Sequence, residues 1–327
     1  MLCRCALDAV AGLCSVALLW SVPWPAAQAA TCLYVSSYHQ GYEWNDGIER
    51  GIERALAGKC ELKKFYMDTK RHDEPSFGME MALKAKQYIE TLKPDVVIAC
   101  DDPASAYLVR PYYKDAELPI VFCGINQSVT PYGYPYRNVT GMIEISPIKP
   151  LLKEIKSTLK RVKRGVYLAP DSMSQHREFE LNRETYAQEG IEITPIFVKN
   201  MIQWEAGYEK AQAADFLIIG NNGGIEDWDN ARAAAIAAKH TRKLSVTNYD
   251  WMVDYAILAM TKLAEEQGEW AALSALSILN GSKPAQLPIV TNRKWNIYVN
   301  LTLLGRTDVE LSPRIIHKAV KIGESDR

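Results

Sequence analysis

From residue 31 onward, short apolar runs alternate with amphipathic stretches of helical spacing almost to the end of the chain. That alternation constrains the fold more than any other feature. The runs are Leu33–Val35, Leu62–Tyr66, Val96–Cys100, Ile120–Cys123, Val166–Ala169, Ile193–Val198, Phe216–Gly220 and Leu244–Thr247. Between them, Ile48, Ile52, Ala55 and Leu56, then Met81, Ala85, Tyr88, Ile89 and Leu92, mark helix faces. Strands that are apolar throughout, separated by helices, predict parallel sheets covered on both faces. Two such sets, about 31–142 and about 144–248, predict an α/β chain of two doubly wound parallel-sheet lobes. The remainder offers a strand within Ala256–Lys262, a helix over Glu265–Asn280 and a strand over Asn296–Asn300. It is too short for a third domain and must pack back on the first two. The expected division is a first lobe of 30–142 plus about 250–284 and a second of 143–249 plus about 285–327. A chain that revisits both lobes crosses the hinge several times, which suits a cleft that opens and closes.

Ahead of this pattern, Arg4 precedes an apolar core, Ala9 to Trp20, and Ala27-Gln28-Ala29 closes the segment. That layout predicts a cleavable secretory signal over residues 1–29, cut after Ala29. Pro23 and Pro25 interrupt the apolar run before it reaches the roughly 20 residues a membrane span needs. Cys14 follows Ala-Gly-Leu and Cys32 follows Ala-Ala-Thr, and neither is a lipidation setting. The expected location is the periplasm of a Gram-negative-type bacterium. What remains is enough for two lobes of about 150 residues each. The net charge of −1 survives processing because Arg4 and Asp8 leave together. Such a balance predicts neither a nucleic-acid surface nor an anionic-membrane surface, and a soluble monomer is expected.

Ligands of open parallel sheets bind beyond the carboxyl ends of the strands, where loops and helix N-termini gather. The first strand is followed by Ser36, Ser37, Tyr38, His39, Tyr42 and Trp44, the third by Asp101 and Asp102, and the fourth by Asn126. In the second lobe the equivalents are Asp171 and Ser172, then Asn221 and Asn222, then Asn248 and Asp250. Any one of these polar residues can be explained as a helix cap, and Trp44 as helix-to-sheet packing. Six such loops around one cleft instead predict a small-molecule pocket. The acids suit an ammonium, the serines and backbone amides a carboxylate, and the aromatics a ring or a cation. An amino acid, aromatic ones favoured, or a related amine meets all three conditions.

Catalysis is not expected. The sequence has no Gly-x-Ser-x-Gly elbow, phosphate-binding loop or dinucleotide turn. Its five histidines lack metal-type spacing, and no cofactor is expected. His39 and Cys123 lack a third, orienting group for a nucleophilic triad. After the leader is removed, Cys32, Cys60, Cys100 and Cys123 remain, and four thiols allow three pairings. Cys32 and Cys60 open neighbouring strands at their amino ends, so they are the expected disulfide. Cys100 and Cys123, at the carboxyl ends of the third and fourth strands, are open to pairing as well, with small buried hydrophobes beside the pocket as the favoured reading.

Several stretches resemble a known family. Asn300-Leu-Thr-Leu-Leu-Gly-Arg-Thr-Asp-Val-Glu-Leu-Ser-Pro313, the loop Leu279 to Pro288 and the region Pro119 to Gly141 are similar to the ABC transporter substrate-binding family of type I periplasmic binding protein fold. The resemblance implies a ligand caught between two lobes and delivered to a membrane permease with a cytosolic ATPase. Members binding tryptophan, tyrosine or phenylalanine are known. It also implies that the loops at Ser37, Asp102, Asn126, Asp171, Asn222 and Asp250 carry the pocket. Ser36 to Asp46 with Tyr66 to Arg71 resembles, in addition, the periplasmic sensor region of some bacterial histidine kinases. A stand-alone sensing subunit for a membrane kinase or cyclase is therefore the alternative role.

Overall fold

The computed structural model describes residues 30–323 except Asp73, so the expected leader and its cleavage site lie outside the described residues. Two sheets organise the chain. The first lobe is laid down as β1 (Thr31–Ser36), α1 (Glu43–Leu56), β2 (Glu61–Tyr66), α2 (Pro75–Leu92), β3 (Val96–Cys100), α3 (Asp101–Pro103), α4 (Arg110–Tyr112), β4 (Ile120–Asn126) and β5 (Val139–Glu144). A π-helical segment, Ala104–Val109, joins α3 to α4 in one continuous helix. The second lobe follows as α5 (Ile148–Thr158), β6 (Arg164–Pro170), α6 (Met173–Ala187), β7 (Glu192–Val198), α7 (Met201–Ala211), β8 (Phe216–Ile219), α8 (Asn230–His240), β9 (Leu244–Thr247) and β10 (Leu258–Lys262). The chain ends with α9 (Ala264–Leu279), β11 (Val290–Thr291), β12 (Trp295–Asn300), α10 (Leu301–Leu304), α11 (Pro313–Lys318) and β13 (Val320–Ile322).

The first sheet has six strands in the order β11-β5-β4-β3-β1-β2, all parallel. The second has seven, in the order β13-β12-β10-β9-β8-β6-β7, with β12 antiparallel to β10. Alternating side chains explain why these strands read as continuously apolar. Leu33 and Val35 enter one core of the first lobe while Cys32 and Tyr34 enter the core on the opposite face. Val97 and Ala99 divide from Val96 and Ile98 in the same way. The second lobe closes around one large cluster that includes Tyr167, Trp204, Tyr208 and Phe216.

The division between lobes differs from the expected one near the end of the chain. Residues 250–262 stay in the second lobe, because β10 pairs parallel with β9 through Leu258 and Val246. The chain returns only at α9, which packs along α1 with Ala271, Ala272 and Ala275 fully buried. The two helices approach so closely that glycine is required at the contact. A Cβ on Gly51 would meet the Glu265 carbonyl oxygen at 2.4 Å, and one on Gly268 would meet the Ile48 carbonyl oxygen at 1.9 Å. The last transfer follows β11, after which β12 and β13 complete the second sheet. Asn292 ties this transfer to the one after β5: Ile145 N donates to Asn292 Oδ1 at 2.7 Å and Asn292 Nδ2 donates to the Ile145 carbonyl at 3.1 Å.

Both disulfides lie in the first lobe. Cys32 and Cys60 bridge β1 to the start of β2 at a Cα separation of 6.0 Å. Cys100 and Cys123 are also bridged, so the open alternative holds in place of the favoured reading of two small hydrophobes. They are register partners on β3 and β4, with Cα atoms 4.6 Å apart, inside the usual disulfide range. That register is what the sequence reading lacked.

Candidate functional site

The carboxyl ends of the two sheets face a cleft of about 840 Å³ between the lobes. The first lobe lines it with Tyr38, Tyr42, Trp44, Lys70, Asp101, Asn126 and Glu144. From the second come Asn248, Tyr249, Asp250, Trp251, Lys262 and Tyr298. Aromatic rings form much of the wall. Tyr38 and Tyr42 meet edge to face at 5.3 Å, with the Lys70 ammonium 5.1 Å from each ring centroid. Opposite them, Tyr249 and the exposed Trp251 lie 5.1 Å apart at the mouth.

Asp101 is the most constrained residue of the site. It stands at the junction of β3 and α3 with φ of 72°, a left-handed conformation that aspartate tolerates better than most residues. Gly124 lies beneath it, and a Cβ there would meet Asp101 Oδ1 at 2.6 Å. Asn45 Nδ2 donates to Asp101 Oδ2 at 2.7 Å and Trp44 Nε1 to Oδ1 at 3.2 Å. Burial pushes this carboxyl up to about 8, against the lowering effect of the Asn45 hydrogen bond. Burial therefore favours the neutral form of Asp101, while the two donors at its oxygens favour the charged one.

Across the cleft floor, Lys262 at the end of β10 forms an ion pair with Glu144 at the end of β5. The same ammonium lies 5.2 Å from the ring of Trp44. Burial pushes the Glu144 carboxyl up, with Lys262 opposing. Burial works most strongly against the charged Lys262, but Glu144, together with Tyr249 and Glu178, holds the ammonium above its ordinary value. Glu178, half-buried on α6, is likewise raised by burial, with Lys262 opposing.

Other expected site residues are employed elsewhere. Ser36 and Ser37 are fully buried beneath the cleft. Ser36 Oγ accepts from Asn45 Nδ2 at 2.9 Å. Ser37 Oγ donates to the Cys100 carbonyl at 2.6 Å and accepts from Ala104 N at 2.9 Å, so it serves as a cap supplied from a neighbouring strand. Asp102 accepts from the Asn126 side chain at 2.7 Å and from Tyr132 Oη, which joins two loops. His39 faces Asp68 at 3.5 Å. Asp171 pairs with His176 at 2.8 Å on the surface, Ser172 caps α6, and Asn221 Oδ1 accepts from Gly223 N within its own loop. The Asn222 carbonyl accepts from Ile225 N in the same way. Asn248 is buried and donates to the Met260 carbonyl at 2.9 Å while bordering the cleft.

Glu144, Lys262, Tyr249, Lys70 and Tyr298 were not among the expected residues. The strand-end rule reaches three of them, for Tyr249 lies between Asn248 and Asp250 just past β9. Lys262 closes a run already read as a strand, and Glu144 closes β5, which was not read as one. Among the described residues, no group of three or more His, Cys, Asp or Glu side chains is placed to hold a metal ion. No described helix is long and apolar enough to cross a membrane.

Known proteins share this architecture. A ligand-free, open substrate-binding protein with adhesive properties from Clostridium difficile superposes with a TM-score of 0.70 at 15% identity, over 91% of this chain and 100% of that one. A Streptococcus pneumonia ABC domain in complex with L-Trp gives 0.61 at 15% identity, over 90% and 100%. A leucine-binding protein from Thermotoga maritima gives 0.53 at 12% identity, over 77% and 83%. By sequence, no curated protein matches this chain. The family model described as ABC transporter substrate binding protein matches residues 42–322. With two mostly parallel sheets facing one cleft, the chain belongs to the ABC transporter substrate-binding protein family and has the type I periplasmic binding protein fold.

Proposed function

We propose that this chain, exported to the periplasm with loss of residues 1–29, captures an amino acid in the interlobe cleft and presents it to the permease of an ABC importer. Aromatic side chains are the favoured class. The observation that carries this reading is the coexistence, in one cleft, of aromatic walls and buried groups of both charges. Tyr38, Tyr42, Trp44 and Tyr249 offer faces for a ring, while Glu144 and Lys262 offer partners for an ammonium and a carboxylate. Asp101 adds a buried carboxyl beside them. The pneumococcal neighbour, whose complex contains L-Trp, agrees with this reading.

The test is a thermal-shift screen of the mature chain against amino acids, peptides, nucleobases, sugars and simple amines. Binding to the native state alone raises stability by about 2.7 kcal/mol at a hundredfold excess over Kd. An aromatic amino acid should give the largest shift. A panel in which no amino acid shifts the transition overturns the reading.

A further inference from the structure

Lys262 and Glu144 are the last residues of β10 and β5, and each directly precedes a passage of the chain from one lobe to the other. Their ion pair therefore spans the cleft at its hinge end. The Lys262 ammonium also lies 5.2 Å from the face of Trp44. A carboxylate together with an aromatic face is the setting in which an organic ammonium is best held. The chain's own cation thus occupies the place with the best partners for a ligand's ammonium.

Access decides what such a ligand must carry. The Glu144 side chain is 6% exposed, so an incoming ammonium reaches it by displacing Lys262. The Lys262 side chain is 23% exposed and sits on a flexible stem, so it can withdraw, but its charge then needs an anion. Parting a buried pair is costly when one charge is left alone. An amine without a carboxylate leaves Lys262 with only the unbridged Glu178 and Asp250 nearby, and an acid without an ammonium strands Glu144. A zwitterion leaves neither unpaired.

We infer that the Lys262–Glu144 pair reads the zwitterion: the ligand inserts between them, its ammonium taken by Glu144 over Trp44 and its carboxylate by Lys262. This rests on the amino-acid reading above and assigns the two residues that enforce it. The pair discriminates against both singly charged analogues of the same side chain.

Calorimetric titration of the mature chain tests this with the amino acid found in the screen, its decarboxylated amine and its deaminated acid. The native protein should prefer the amino acid over each analogue by roughly ten- to a hundredfold, the usual weight of one charge-assisted hydrogen bond. Lys262→Met should abolish the preference over the amine, and Glu144→Gln the preference over the deaminated acid. Lys262→Met/Glu144→Gln, which leaves no charge stranded, should bind all three with similar affinity and serves if a single variant fails to fold. A native protein that binds the amine as tightly as the amino acid overturns the inference. So does a Lys262→Met variant, or the double variant, that retains the native preference. Failure of every amino acid in the initial screen instead removes the functional reading beneath it.

Discussion

Ser172, Asn200 and Asp229 cap α6, α7 and α8 of the second lobe with their side chains. At the starts of α1, α2 and α3 in the first lobe stand Tyr42, Glu74 and Cys100, and none of them caps with its side chain. The difference teaches where polar residues are left over. A residue whose oxygen is bound to its own helix is removed from the cleft, as Ser172 is. In the first lobe, Ser37, just past β1, binds the Ala104 amide, so Asp101 at the start of α3 is free to accept from Trp44 and Asn45. The lobes differ in covalent support as well. Both disulfides brace the first lobe, one at each end of its strands, while no disulfide is formed within the described second lobe.

The comparison breaks most visibly if the bridges do not matter. Replacing Cys32 and Cys60 together by serine should destabilise the first lobe by about 3–4 kcal/mol on the chain-entropy model. Denaturant unfolding followed by a probe in each lobe should show the first transition move and the second stay. Equal movement of both transitions would show that the lobes unfold as one unit and that the bridge supports both.

A smaller effect sharpens the contrast at the cleft edge. In the unfolded chain Asp101 loses its proton near its ordinary value of 3.8, whereas the folded chain holds it to about 8. Between these values the native state binds more protons than the unfolded state, so this group lowers stability as pH rises, with the loss levelling off above about 8. Asp101→Asn keeps the left-handed backbone but has no proton to release. It should flatten the slope of stability against pH between these values. Parallel slopes for the two proteins would show that Asp101 is ionised in the folded state.

The smallest expected effect concerns the second lobe. Ser172→Ala should cost about 1 kcal/mol through loss of the α6 cap, with ligand affinity unchanged. A drop in affinity without a drop in stability would place Ser172 in the binding surface and undo the distinction between the lobes.

These contrasts explain what could be read from the sequence. Apolar runs marked the long parallel strands because burial on both faces leaves little room for alternation, as along Cys32 to Val35. The strand-end rule also brought Tyr38, Tyr42, Trp44, Asp101, Asn126, Asn248 and Asp250 to one cleft. Asp171, Asn221 and Asn222 do not line that cleft: Asp171 pairs with His176, and Asn221 Oδ1 accepts from Gly223 N within its own loop. Register was invisible in every case. It decides that Cys100 faces Cys123, and it keeps β10 beside β9 rather than in the first lobe. The Lys262–Glu144 pair depends on both strand placements, so neither residue suggested the other.

The close fit of α9 against α1 has a consequence for the order in which the protein can be made. One face of the first lobe, carrying Tyr34, Ile48, Ile52 and Ile98, is covered by a helix that begins only at residue 264. A chain emerging from its amino end must therefore lay down all of β6 to β10 before that face can close. Until then the earlier half presents an unsealed apolar surface, the kind of exposure that favours aggregation during synthesis. Completion of the first lobe is thus a late event, and a chain that stops at Lys262 lacks the helix that seals it.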